Sequence, residues 1–158
     1  LIVLFDGSLM ADYHQVVVAD AAAAPDFAVA WDAAALDARM ALGKGWMVVA
    51  TERDMPVPVR VTLYERDPEG IDDLVDHAVL GHLLTHGDVV IAGLNDYWPT
   101  ATHLTVPAGW LWARWLSIGL SSLSADGLEG DDRYEMQFWP ATSEGGAQPM
   151  ILKNRAPD

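Results

Sequence analysis

Cysteine is absent from the 158-residue sequence, and basic residues are few: nine Lys and Arg stand against 23 Asp and Glu. The first absence excludes a disulfide scaffold, thiol catalysis and cysteine-ligated zinc or iron–sulfur. The second leaves a formal net charge of −14. That charge argues against nucleic acid as a direct partner, because phosphate binding needs clustered Lys and Arg. No apolar run approaches the roughly 20 residues of a membrane helix, so no membrane partner is expected. Leu1-Ile2-Val3-Leu4-Phe5 is apolar but short, and it lacks the basic flank and small-residue cleavage pattern of a signal peptide. A cytoplasmic location is the default, and a cysteine-free chain suits export equally. Phosphate loops and dinucleotide fingerprints are missing. Asp6-Gly7-Ser8 is not the Gly-x-Ser-x-Gly nucleophile elbow.

Hydrophobic residues make up 51% of the chain, enough for one core without metal or disulfide. The expected organisation is a single domain over residues 1–145 with a C-terminal tail at 146–158. Short apolar segments alternate with turn residues, the pattern of a mainly β, antiparallel β-sandwich of about 8–9 strands with one short helix. The clearest strand is 57–64: Val57, Val59, Val61 and Leu63 fall on one face, Pro58, Arg60, Thr62 and Tyr64 on the other. Residues 133–139 repeat that period, with Tyr134, Met136 and Phe138 inward, and Pro140 ends the ladder. Thr102, Leu104 and Val106 share a third face. After the turn Pro107-Ala108-Gly109, Trp110–Ile118 is apolar on both faces and reads as a central strand. Strands are also expected at 1–5, 13–19, 46–51 and 88–92.

Asp32 is placed to cap a helix over Ala33–Leu42, with Gly43 as its left-handed end and Leu36 and Met40 on the inner face. Residues 74–85 fit two patterns. Leu74, Val75, Ala78, Val79 and His82 make a helical stripe, whereas Val75, His77, Val79, Gly81 and Leu83 make one face of a strand. The strand is preferred, forming a hairpin with 88–92 through His86-Gly87.

His77, His82 and His86 are the candidate metal ligands. Such a site needs a helix, because His82 and His86 stand about 13 Å apart along a strand. No cofactor is implied. The loop Asp126-Gly127-Leu128-Glu129-Gly130-Asp131-Asp132 does not match calcium-loop spacing. With Glu135, it forms one of two acidic clusters. The other is Asp6, Asp12, Asp20, Asp26, Asp32 and Asp37, in a stretch without Lys or Arg. These clusters read either as solvated surface or as a negative face that steers a cationic protein. Of seven tryptophans, most fall in strands, but Tyr97-Trp98 lies in a loop, where an aromatic can anchor an interface. Arg114 is a charge inside an apolar strand, and a carboxylate partner is expected for it.

Tyr13-His14-Gln15, Val106-Pro107-Ala108-Gly109 leading into a strand with Arg114, and Asp132-Arg133-Tyr134-Glu135-Met136-Gln137-Phe138-Trp139-Pro140-Ala141 occur in a familiar order. Over residues 11–141 the chain resembles bacterial β-sandwich proteins related to competence protein J, the inhibitor of a DNA-entry nuclease. The resemblance implies a shared fold more than a shared partner, because its motifs are a turn, a central strand and a closing strand. It places no inhibitory residue on this sequence. The helix-forming stretch and the abundant tryptophan depart from the family pattern.

The leading expectation is an acidic, non-enzymatic module that binds a cationic protein such as a nuclease, through Asp126, Glu129, Asp131, Asp132, Tyr97 and Trp98. The alternatives are a small-ligand or metal-dependent enzyme using the histidines and acids, and an accessory β domain of a larger assembly, since residue 1 is Leu. Oligomeric state is not legible.

Overall fold

The computed structural model describes residues 1–25, 31–146 and 148–154. Among them lie eleven strands: β1 (Ile2–Met10), β2 (Gln15–Asp20), β3 (Met40–Gly43), β4 (Trp46–Ala50), β5 (Pro56–Leu63), β6 (Val75–Thr85), β7 (Asp88–Gly93), β8 (Thr102–Thr105), β9 (Gly109–Ile118), β10 (Arg133–Pro140) and β11 (Met150–Asn154), with one helix, α1 (Ala33–Ala38). They form a six-stranded sheet ordered β1-β5-β10-β9-β6-β11 and a five-stranded sheet ordered β3-β4-β2-β7-β8. The protein is therefore mainly β with one short helix, as its two-residue periodicity predicts. Pairing is antiparallel except between β5 and β10, which run parallel.

The core lies between the sheets. Val57, Val59 and Val61 of β5 meet Tyr134, Met136 and Phe138 of β10 and Leu111, Ala113 and Trp115 of β9 there, with Val16, Val18, Met47, Val49 and Ile91 from the second sheet. Burying each large side chain contributes about 1.5–3 kcal/mol, which is why the alternation dictates facing. β9 is covered on its outer side too. Leu116 and Ile118 pack there with Val75, Ala78 and Ile71. Ile71 belongs to the connection of residues 64–74, which joins the end of β5 to the start of β6 and so runs the length of the sheet.

Several expectations are corrected. Helix α1 stops at Ala38, not Leu42, because Arg39 takes the left-handed position at φ 62° and its N–H bonds back to Ala35 and Leu36. Asp32 does cap the start, accepting from the Ala35 N–H at 2.8 Å. Leu36 is exposed, whereas Met40 enters the core from β3. Gly43 is needed for close approach instead: a Cβ there would lie 2.0 Å from the Trp46 ring. Residues 75–85 are a strand, but β6 and β7 are not a hairpin. β6 pairs with β9 and β11, and β7 pairs with β2 and β8. The His86-Gly87 corner carries the chain from one sheet to the other. Asp20 fastens it, accepting from the Thr85 hydroxyl at 2.7 Å and from the His86 N–H at 2.8 Å. Within the stretch expected as a tail, residues 150–154 add the edge strand β11.

The strand registers also define two ends. β1, β4, β7 and β9 finish, and β2, β5, β6, β8 and β10 begin, at the same end. The connections 11–14, 51–55, 94–101 and 119–132 are therefore gathered at one pole.

Candidate functional site

Loops at a sandwich pole leave backbone N–H groups without ladder partners, and short acidic side chains can satisfy them. This pole is built that way. Asp54 accepts from the Tyr13 N–H at 2.9 Å, and Asp12 accepts from the Asn95 N–H at 3.4 Å. Asp96 accepts from the Gly93 N–H at 2.9 Å. These contacts tie three of the four connections together. In the fourth, Asp126 accepts from the Ser124 hydroxyl and from the Leu128 N–H at 3.0 Å. Those two bonds hold its carboxyl below the usual aspartate range. Asp12, Asp54, Asp96, Asp126, Glu129 and Asp131 make no ion pair with any described residue. All but Asp12 are exposed.

Asp132 is different, and its expected place on a binding surface is corrected. It is fully buried. Tyr134 donates its hydroxyl to Asp132 Oδ2 at 2.7 Å, and Arg53 Nε lies 2.6 Å from Oδ1. The same Tyr134 oxygen accepts from the Glu52 N–H at 2.8 Å. Its ring stacks on Trp115 with centroids 5.5 Å apart. Burial drives the Tyr134 phenol far above its ordinary pKa, so it stays protonated and can donate. This cluster fastens the 51–55 connection to β10. It is structural, and it sits directly beneath the acidic loops.

Tyr97 and Trp98 also reach this pole, with separate roles. Tyr97 is 72% exposed. Trp98 packs with Val17, Trp46 and Val48 on the outer face of the five-stranded sheet. The loop aromatic that can meet a partner is Tyr97.

The described acids of the first segment do not form one face. Asp12 is at the pole, whereas Asp6 on β1 faces Arg60 at 3.3 Å. Asp32 caps α1, and Asp20 is buried at the opposite end. Burial raises the Asp20 carboxyl, but bonds from His86, Thr85 and Ala22 outweigh it and leave the pKa below the usual value. Asp26 lies outside the described residues. Asp54 and Asp96 were not singled out from sequence. Each is an isolated acid beside a chain reversal, a signal shared with ordinary turn residues.

The histidines diverge. His77 and His82 are five apart on β6 and point to opposite faces. His77 Nε2 donates to the Ala38 carbonyl at 2.9 Å, and burial lowers its pKa. His82 meets the Gly146 carbonyl and packs edge-on to Trp110 and Trp112. His86, at the far end, faces Asp20 at 3.2 Å. Among the described residues, no three His, Asp or Glu side chains are grouped to hold a metal.

Arg114 is buried, and its neighbours differ from the expected carboxylate. Its Nε donates to Gln137 Oε1 at 2.7 Å, and the guanidinium lies 5.6 Å from the Trp139 ring centroid.

No family model matches the chain, and no curated protein matches it. Two solved structures are similar. One is ComJ from Bacillus subtilis, described as the inhibitor of the DNA-degrading activity of NucA. It has a TM-score of 0.67 and 15% identity, over 89% of this chain and 98% of that one. The other is described as crocagin biosynthetic gene J, with a TM-score of 0.54 and 18% identity, over 86% of this chain and 97% of that one. The resemblance carried by the sequence motifs is thus a likeness of fold: this chain has the two-sheet architecture of ComJ across nearly its whole length.

Proposed function

We propose that the chain is a non-enzymatic binding module whose acidic pole docks on a cationic protein, and that the partner is a DNA-degrading nuclease. The observation that carries this reading is the set of exposed carboxylates without basic partners on the pole loops, with Tyr97 exposed beside them. A nuclease must present positive charge to hold phosphates, and carboxylates, of which Asp12, Asp54, Asp96 and Asp126 are fixed by backbone bonds, can occupy that groove in place of DNA. Fixing matters, because side chains already ordered lose less freedom on binding. The fold-level likeness to a nuclease inhibitor adds to the reading.

The test is a DNA-cleavage assay with nucleases encoded near this gene, with and without the chain. Inhibition that weakens with salt, and that Asp126→Lys, Glu129→Lys and Asp131→Lys together reduce at least about tenfold, supports the reading. Inhibition untouched by the triple variant moves the interface off the pole. No inhibition of any such nuclease overturns the proposal.

A further inference from the structure

The connection of residues 64–74 does not lie flat on the six-stranded sheet. Between it and the outer faces of β9 and β10 is a groove of 330 Å³. Its volume is within the range of small-molecule sites. Its floor holds Arg114, Gln137, Leu116 and Ile118, and its far wall includes Tyr64 and Ile71. The groove is therefore apolar along part of its length and carries two cations, Arg114 held on its floor and the exposed Arg133.

Arg114 is the unusual member. It is only 6% exposed, yet it has no carboxylate within ion-pair distance among the described residues. Its Nε is held by Gln137, whose Nε2 in turn reaches the Tyr64 hydroxyl at 3.5 Å. Trp139 lies against the guanidinium. The terminal Nη groups make no hydrogen bond to any described residue. They are not among the buried polar atoms left without a partner, so the guanidinium is oriented through Nε while its outer donors open to the groove. It is the arrangement suited to a planar, two-oxygen acceptor, which takes two parallel N–H bonds. Burial lowers the guanidinium pKa, and the field of Asp67 on the connection partly restores it. Carboxylates also line the groove, namely Glu69, Asp72 and Glu135. They oppose a multiply charged ligand such as phosphate and leave a monoanion as the better fit.

We propose that this groove binds a carboxylate carrying a compact apolar group, with Arg114 as its bidentate anchor and the Ile71, Leu116 and Ile118 side chains against the apolar part. A free short-chain acid and the C-terminus of a peptide ending in an apolar residue share this chemistry. The site lies on the sheet face, and its test does not depend on nuclease inhibition.

Isocaproate and N-acetyl-leucine are titrated separately into the full chain. The Trp139 indole and Gln137 side-chain amide signals are followed by NMR. N-acetyl-leucinamide serves as the uncharged analogue. At least one acid shifts those signals saturably, and the amide binds about tenfold more weakly or worse. Binding of isocaproate alone identifies a small acid, and binding of N-acetyl-leucine alone identifies a peptide terminus. Arg114→Gln abolishes the response, and Arg114→Lys weakens it about tenfold because the fork is lost. The Asp126, Glu129 and Asp131 reversal leaves it unchanged. Equal binding of acid and amide, undiminished binding by a folded Arg114→Gln variant, or no shift with either acid overturns the proposal. If Arg114→Gln fails to fold, the acid–amide comparison on the unaltered chain decides.

Discussion

Asp131 and Asp132 are neighbours in sequence and opposites in the structure. Asp131 is exposed, with no cationic partner among the described residues, and only its backbone N–H is engaged, by Ser122. Asp132 is fully buried between Arg53 and the Tyr134 hydroxyl. The first carries charge outward, where water screens it and its removal costs little. The second carries charge inward, where each lost partner leaves another polar group without one. One residue's shift along the chain separates a solvent-facing acid from an acid that holds the pole connections in place. The pole therefore consists of two layers, a structural one below and, above it, the exposed acids proposed to meet a partner.

The strongest way to break this distinction is Asp132→Ala. It leaves the half-buried Arg53 without its carboxylate and Tyr134 without an acceptor. A loss of about 3–5 kcal/mol in urea unfolding is expected. A loss within the range of an exposed acid would make the two layers one. Tyr134→Phe removes the hydroxyl alone, and with it the bond to Asp132 and the acceptor for the Glu52 N–H. About 1–3 kcal/mol should be lost, with the fold intact. A near-neutral result would show that Arg53 satisfies Asp132 unaided.

His77 sharpens the same contrast as a buried titratable group near the start of β6. Burial lowers its folded pKa, so the unfolded chain binds a proton first as pH falls. Stability is then fully present above about pH 6.5, and declines below it until the folded pKa is reached. His77→Gln should flatten that decline in denaturation curves between neutral and mildly acid pH. A variant with the same slope as the parent would assign the decline to other groups. The smallest effect is expected from Asp126→Lys, Glu129→Lys and Asp131→Lys together. The Glu129 and Asp131 side chains make no hydrogen bond to a described residue, so only the Asp126 bonds to Ser124 and Leu128 are lost and the melting temperature should fall little. A large drop in melting temperature would show that the upper layer is structural as well.

The architecture was legible because burial imposes a period. Val57, Val59 and Val61, and Tyr134, Met136 and Phe138, all face inward as alternation requires. The helix length was not legible. Ala33–Leu42 has uniform helix propensity, and what ends α1 early is the ion pair of Arg39 with Glu52 at 2.6 Å and the pull of Met40 into the core. The corner after β6 was misread for a similar reason. A short turn between two strands looks the same whether they pair with each other or enter different sheets, and the difference here lies in Asp20, 65 residues from Thr85. Of the candidate site, the exposure of Asp126, Glu129, Asp131 and Tyr97 is legible in the polar, turn-rich sequence around them. That Asp54 and Asp96 join them is not, because each becomes part of the pole only when distant loops converge.

The amino-acid sequence by itself determined the excess of carboxylate, the absence of thiol chemistry and the alternation that forces two stacked sheets, because composition and a two-residue period act locally along any chain. Tertiary structure alone decided which acids reach water, which histidines meet and what Arg114 touches. Those outcomes depend on side chains brought together across the core, and Coulomb and hydrogen-bond energies follow distance in space rather than separation in sequence.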